Sequence, residues 1–95
     1  MALRISDIKI TLTTNKDPVK AFVTFLVDDC LLIRDSKVIS TADGDFVAMP
    51  AKKLTGYYLD TVAPINWETR KQIEDAVLTE FERVTGERVT RRTLR

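Results

Sequence analysis

Phe46-Val47-Ala48-Met49-Pro50-Ala51-Lys52-Lys53 is the stretch on which the fold of this chain turns. An apolar strand runs into a proline and then into paired lysines, so a strand end and a defined site of positive charge are encoded side by side. Pro50 has no amide to donate and therefore ends the strand or lies on an edge. Upstream, the pattern is that of a meander. Ile8, Ile10 and Leu12 alternate with polar residues, the period of a half-buried strand, and Asn15-Lys16-Asp17-Pro18 supplies a turn. Between Val19 and Val27, Ala21, Val23, Phe25 and Val27 share one face while Phe22 and Leu26 share the other. Apolar residues on both faces predict a central strand covered on both sides. Asp28-Asp29 reads as a turn. A third strand, Cys30 to Ile33 and Val38-Ile39, is interrupted by the polar Arg34 to Lys37. Asp43-Gly44 suits a tight hairpin into the fourth strand, Phe46 to Met49. Lys52 to Gly56 are expected to connect to a fifth strand around Tyr57 to Val62, which places both lysines at a sheet rim.

The end of the chain is helical. Asn66 is a good N-cap, Glu68 favours the positive end of the helix dipole and Gly86 is the expected stop, giving a helix over Trp67–Thr85. At about 100° per residue, Ile73, Ala76, Val77, Phe81 and Val84 form the face against the sheet. The Arg70 stem lies on that flank. Trp67 and Leu78 fall on the opposite side near Lys71 and Glu74, where they would be wet in a monomer, and so form a candidate homodimer contact. The expected architecture is α+β, an antiparallel meander sheet of about five strands with a C-terminal amphipathic helix packed on one face. One domain is expected to span residues 1–95, its strands within 5–63 and a basic tail over 86–95.

At 44% hydrophobic and 31% charged residues, the composition is that of a folded soluble protein. No apolar run approaches the roughly 20 residues of a membrane helix, and no secretory leader is visible, so a cytoplasmic location is expected. Cys30 has no second cysteine to pair with and is expected to be a small buried apolar residue. The net charge is +1, but residues 86–95 carry a local +3, leaving −2 on residues 1–85. Attraction for phosphate must therefore come from local patches.

With no His and one Cys, the triads of nucleophilic catalysis and the usual zinc sites cannot be assembled. No glycine-rich phosphate loop is present. Asp28, Asp29, Asp43 and Asp45 read as turn residues before metal ligands. No enzymatic activity, catalytic residue, metal, cofactor or small-molecule substrate is expected.

Phe46-Val47-Ala48-Met49-Pro50, Asp60, Pro64-Ile65-Asn66, Thr69-Arg70, Ile73 and Asp75-Ala76-Val77-Leu78 stand in an order and spacing that resembles the stage V sporulation protein G (SpoVG) family. The resemblance runs from about Val38 to Phe81, with a weaker echo in the first strands. It implies a homodimeric regulator of septation or sporulation-type programmes that binds DNA or RNA. In that family the Met-Pro segment is followed by a Ser-Lys-Arg type sequence associated with nucleic acid. Here it reads Ala51-Lys52-Lys53, which keeps the charge but loses the planar fork needed to read a base. Arg70 matches the family's Ser-Thr-Arg at Glu68-Thr69-Arg70 and lies beside the helix N-terminus, where amides favour anions.

Each candidate also has a plainer explanation. Lys52 and Lys53 would equally serve as solvated charges that discourage edge pairing. Arg70 and Lys71 would pair with Glu74 and Asp75 one turn on, at a few tenths of a kcal/mol each. Glu74, Asp75, Glu80 and Glu82 disfavour nucleic acid along the helix body. Arg91 and Arg92 belong to a tail expected to fray and to act as a mobile phosphate contact. Tyr57, Tyr58 and Trp67 would stack on bases, although one of the two tyrosines is expected to pack inward. The alternative function is a dimeric protein-interaction module built on Trp67, Leu78 and the sheet edges.

Overall fold

The computed structural model describes residues 3–14 and 17–92, so the Asn15-Lys16 part of the first turn and Arg95 in the tail lie outside the described residues. In chain order the elements are β1 (Ile5–Leu12), β2 (Val19–Val27), β3 (Leu31–Thr41), β4 (Gly44–Ala48), β5 (Ala51–Leu54), β6 (Tyr57–Asp60) and α1 (Trp67–Thr85). The first four strands form one antiparallel sheet in the order β1-β2-β3-β4, and β5 and β6 form a separate hairpin. The class is α+β, as the sequence pattern implies.

The core sits between the sheet and α1. Alternation along β2 buries Ala21, Val23 and Phe25, which meet Val38 of β3, Val47 of β4 and the helix side chains Ile73, Val77, Leu78 and Phe81. Each of these side chains larger than alanine contributes about 1.5–3 kcal/mol by leaving water. The central place of β2 is as expected, but its second face is open. Helix α1 covers one side of the sheet only, so Phe22 stays partly exposed and Leu26 half-buried.

β3 is continuous through the polar Arg34 to Lys37, where an interruption was expected. The pairing shifts between Val23↔Ser36 and Phe25↔Ile33, and Asp35 takes φ 64° at the irregularity. A bulge absorbs the extra residue and lets the ladder resume with Val38 facing the core. Asp28 and Asp29 form the expected turn with φ 53° and 54°, the doubly left-handed geometry of the tightest hairpins. They also hold the start of β1: the Arg4 amide donates to Asp28 Oδ1 at 2.8 Å, and its guanidinium meets Asp29 at 2.8 Å. Cys30 follows directly on this turn and is exposed, against the expectation of burial.

The helix limits and caps match the sequence pattern. Asn66 Oδ1 accepts from the Thr69 amide at 2.8 Å, and Gly86, at φ 74°, donates to the Glu82 carbonyl at 2.8 Å. The buried face is rotated from the predicted one. Glu74 and Leu78 join Ile73, Val77 and Phe81 in the interior, while Val84 is exposed. Leu78 is 0% exposed and cannot serve as a wet dimer contact, whereas Trp67 at 49% remains accessible. Leu78 lies only about 100° round from Val77, so a covered arc somewhat wider than one stripe of positions takes it in.

Beyond Gly86 the chain returns along the free edge of β4. The Asp45 amide donates to the Thr90 carbonyl at 2.6 Å and the Arg92 amide to the Asp45 carbonyl at 3.3 Å, making a parallel bridge between Asp45 and Arg91. Val89 packs against the core. This approach needs Gly44, whose φ is 124° and where a Cβ would lie 2.8 Å from the Thr90 carbonyl oxygen and 2.9 Å from the Arg92 nitrogen. Gly44→Ala should cost about 2 kcal/mol of stability and free the tail from β4. Urea unfolding together with amide exchange at Arg92 checks this, and an unchanged midpoint with retained Arg92 protection would contradict it.

Candidate nucleic-acid interface

The segment expected to be a connection is half of a hairpin. Lys52 faces Leu59 across the β5–β6 ladder, Lys53 faces Tyr58, Leu54 faces Tyr57 and Ala51 faces Asp60. Gly56 closes the turn at φ 82°, a conformation that costs glycine little. Because side chains alternate, Lys52, Leu54, Tyr57 and Leu59 share one face, and Lys53, Tyr58, Ala51 and Asp60 the other. The adjacent lysines therefore point to opposite sides. Tyr57 and Tyr58 are 58% and 69% exposed, so neither packs inward as expected; the hairpin stands apart from the main sheet with no core under either face. Its base is fixed by Thr61, whose amide and hydroxyl donate to the Pro50 carbonyl at 2.8 and 3.2 Å. Among the described residues, neither lysine's ammonium group has a hydrogen bond or ion pair.

Arg70, Lys71, Arg91 and Arg92 form a second group, gathered on α1. Arg92 donates to Glu74 Oε2 at 2.7 Å and lies over the Phe46 ring at 4.1 Å, a cation–π contact. Arg70 stands 3.8 Å from the same Glu74 oxygen. Lys71 meets Asp75 at 2.9 Å, while Arg91 lies 3.5 Å from Asp75 and from Glu82 and donates to Thr79 Oγ1 at 3.1 Å. Trp67 borders the small cavity between these groups. The expected pairs Arg70–Glu74 and Lys71–Asp75 both form, but Glu74 is only 3% exposed, so the first is not an ordinary surface pair. Arg91 and Arg92 are held at defined places instead of fraying. The carboxylates that would repel a nucleic acid from the helix are the ones that retain them.

Glu82 shows how firmly the tail is tied. The Val89 amide donates to its Oε2 at 2.9 Å, and this bond, helped by Arg91, holds the carboxyl below the ordinary glutamate range. Glu80 is lowered likewise by its two hydrogen bonds from Arg83, at 2.6 and 2.9 Å.

Thus the six candidate cations divide into a hairpin pair and a helix–tail cluster, and no hydrogen bond or ion pair among the described residues joins the two. Sequence reasoning passed over Lys9, Arg34 and Lys37, which also lack a carboxylate partner among the described residues. Their signal was positional: they occupy polar positions on the strands that flank β2. No group of three or more His, Cys, Asp or Glu side chains is arranged to hold a metal ion among the described residues. No helix there is long and apolar enough to cross a membrane.

The family model for SpoVG matches residues 3–83. The chain belongs to the SpoVG family. The match takes in β1 to β3 as well as the segment after Val38. The SpoVG protein of Myxococcus xanthus is 44% identical over 82 residues, covering 85% of this chain and 82% of its own length. That of Clostridium acetobutylicum is 37% identical over 90 residues, covering 94% and 95%. That of Caldicellulosiruptor bescii is 36% identical over 83 residues, covering 86% and 94%. The names of these SpoVG relatives link them to septation.

Arg92→Ala should lower stability by about 2 kcal/mol, because it strips a buried carboxylate of its closest partner. Lys71→Ala removes an exposed pair and should cost less than about 0.5 kcal/mol. Denaturant unfolding of both variants checks the contrast, and equal losses would show that Glu74 does not depend on the tail.

Proposed function

We propose that this protein is a homodimeric, nucleic-acid-binding regulator of septation or sporulation-type programmes, with the β5–β6 hairpin as a principal contact. The observation that carries this is Lys52 and Lys53 standing unpaired, among the described residues, beside the exposed rings of Tyr57 and Tyr58. Cations that track phosphates next to faces on which bases stack are the pattern of proteins that bind nucleic acid with little sequence preference. Lysine, a point charge, suits phosphate anchoring better than base readout. Membership of the SpoVG family and the septation names of its relatives support a regulatory role. Arg70, Lys71, Arg91 and Arg92 contribute less, since nearby carboxylates already share their charge. Fluorescence anisotropy with labelled duplex and single-stranded oligonucleotides should show affinity falling steeply between about 50 and 200 mM salt. Lys52→Gln with Lys53→Gln should weaken binding about tenfold and flatten the salt dependence. Wild-type protein that binds neither probe, or binds with no salt dependence, would overturn the proposal.

The alternative, a dimeric interaction module, draws on the apolar side of the same hairpin. Leu54, Tyr57 and Leu59 lie together there, and Ile65 and Trp67 are exposed in the segment that follows β6. A second copy covering that side would leave Lys53 and Tyr58 outward. Leu59→Ser should then shift the mass in light scattering from dimer to monomer. Equal masses for the variant and the wild type would remove the hairpin from the dimer contact.

A further inference from the structure

Thirteen described lysines and arginines divide sharply by partner. Seven lie within 4.0 Å of a carboxylate: Arg4, Lys20, Arg70, Lys71, Arg83, Arg91 and Arg92. Apart from the hairpin lysines and Arg88, the remainder are Lys9, Arg34 and Lys37, and all three lie on the sheet face that α1 leaves open. Register places them. Lys9 of β1 stands opposite Thr24 of β2, and Phe22 of β2 opposite Lys37 of β3. Arg34 joins Lys9, Thr24, Leu26 and Leu32 around a shallow groove of about 390 Å³. Strands lie about 4.8 Å apart, so the β1 and β3 cations flank β2 at roughly 10 Å from each other. Asp7 lines the groove too and leaves it net positive.

The geometry points to this face as a binding site for single-stranded nucleic acid, with phosphates on Lys9, Arg34 and Lys37 and bases against Phe22, Leu26 and Leu32. The assignment rests on the nucleic-acid binding proposed above and extends it to a second surface. Charge selects a polyanion, and the apolar strip between the cations selects one whose bases are free. A duplex hides its base faces in the stack and would set sugars and phosphates against Leu26 and Leu32. An acidic peptide would satisfy the cations but brings no planar face to the apolar strip. An open four-stranded sheet backed by a helical layer is a platform on which splayed single strands lie flat.

The test uses the full chain, a labelled oligothymidylate of about 20 nucleotides, longer than the roughly 4–16 that one such module covers, and a duplex of equal length. The triple variant Lys9→Gln, Arg34→Gln, Lys37→Gln should bind the single strand at least about tenfold more weakly. Its log–log salt slope should fall by about 2, from three lost phosphate contacts at about 0.7 each. Duplex binding should be unchanged. Amide shifts of Thr24 and Leu26 on titrating wild-type protein with oligothymidylate give a second measure that does not depend on the variant's folding. Single-strand binding by the triple variant equal to wild type would overturn the inference, and so would an equal loss on duplex. Competition by polyglutamate as effective as that by oligothymidylate would overturn it in favour of an acidic peptide. Should only Lys52→Gln with Lys53→Gln weaken binding, the proposed function stands and this second surface falls. Wild-type protein that binds neither oligonucleotide removes both.

Discussion

The Glu74 carboxylate is the constraint around which the helical side of this molecule is organised. A charged group buried to 3% exposure on the core-facing side of a helix is costly unless it is paired and hydrogen-bonded. Arg92 meets that requirement at 2.7 Å and Arg70 approaches at 3.8 Å. Arg92 reaches Glu74 only because the chain turns back after Gly86 and runs beside β4, which in turn needs a residue without a Cβ at Gly44. A stop signal, a glycine in the β3–β4 hairpin and Arg92 of the tail thus act with Arg70 of the helix as one device.

A second consequence is a sorting of charge. Acidic residues on α1 draw the nearby cations into pairs, so little free positive charge is left on that side among the described residues. Among the described residues, unpaired cations remain on the hairpin, on the open face of the sheet and at Arg88 beyond the helix. The net charge of +1 hides this separation, because a count cannot tell a lysine beside an aspartate from a lysine facing water. For a protein of the SpoVG family, a nearly neutral chain is therefore compatible with surfaces that attract phosphate.

Local signals made the helix legible in the sequence, since Asn66 and Gly86 act through bonds to residues three or four away. The central place of β2 was legible as well, because period-two alternation reports burial directly. What failed depended on distant parts of the chain. Asp35 looked like part of an interruption and is a bulge whose value lies in restoring the β2–β3 register. The tail looked frayed because its partners, Asp45, Glu74 and Glu82, belong to other elements. Leu78 was misplaced because an ideal projection of α1 says nothing about how far the sheet and tail wrap round it. Of the candidate cations, Lys52 and Lys53 were legible as a charge pair, but the strand that sends them to opposite faces was hidden in what read as a loop.

The opposed directions of Lys52 and Lys53 bear on function more than any other feature of the hairpin. Two adjacent lysines in a loop make one patch, whereas two in a strand make two half-patches back to back. A hairpin of two strands is marginal in water without something packed on it, and this one exposes Tyr57, Tyr58 and Leu59 over its two faces. Its two sides differ in kind, however. Leu54, Tyr57 and Leu59, with Lys52 among them, give one a mainly apolar surface that suits protein, while Lys53 and Tyr58 give the other a cation beside a ring, which suits nucleic acid. A second subunit on the apolar side would cover Lys52 and leave Lys53 and Tyr58 open to a nucleic acid. Packing by the first would stiffen the strand that presents Lys53 and Tyr58 to the second, so dimer formation and nucleic-acid binding would be thermodynamically coupled through these few residues.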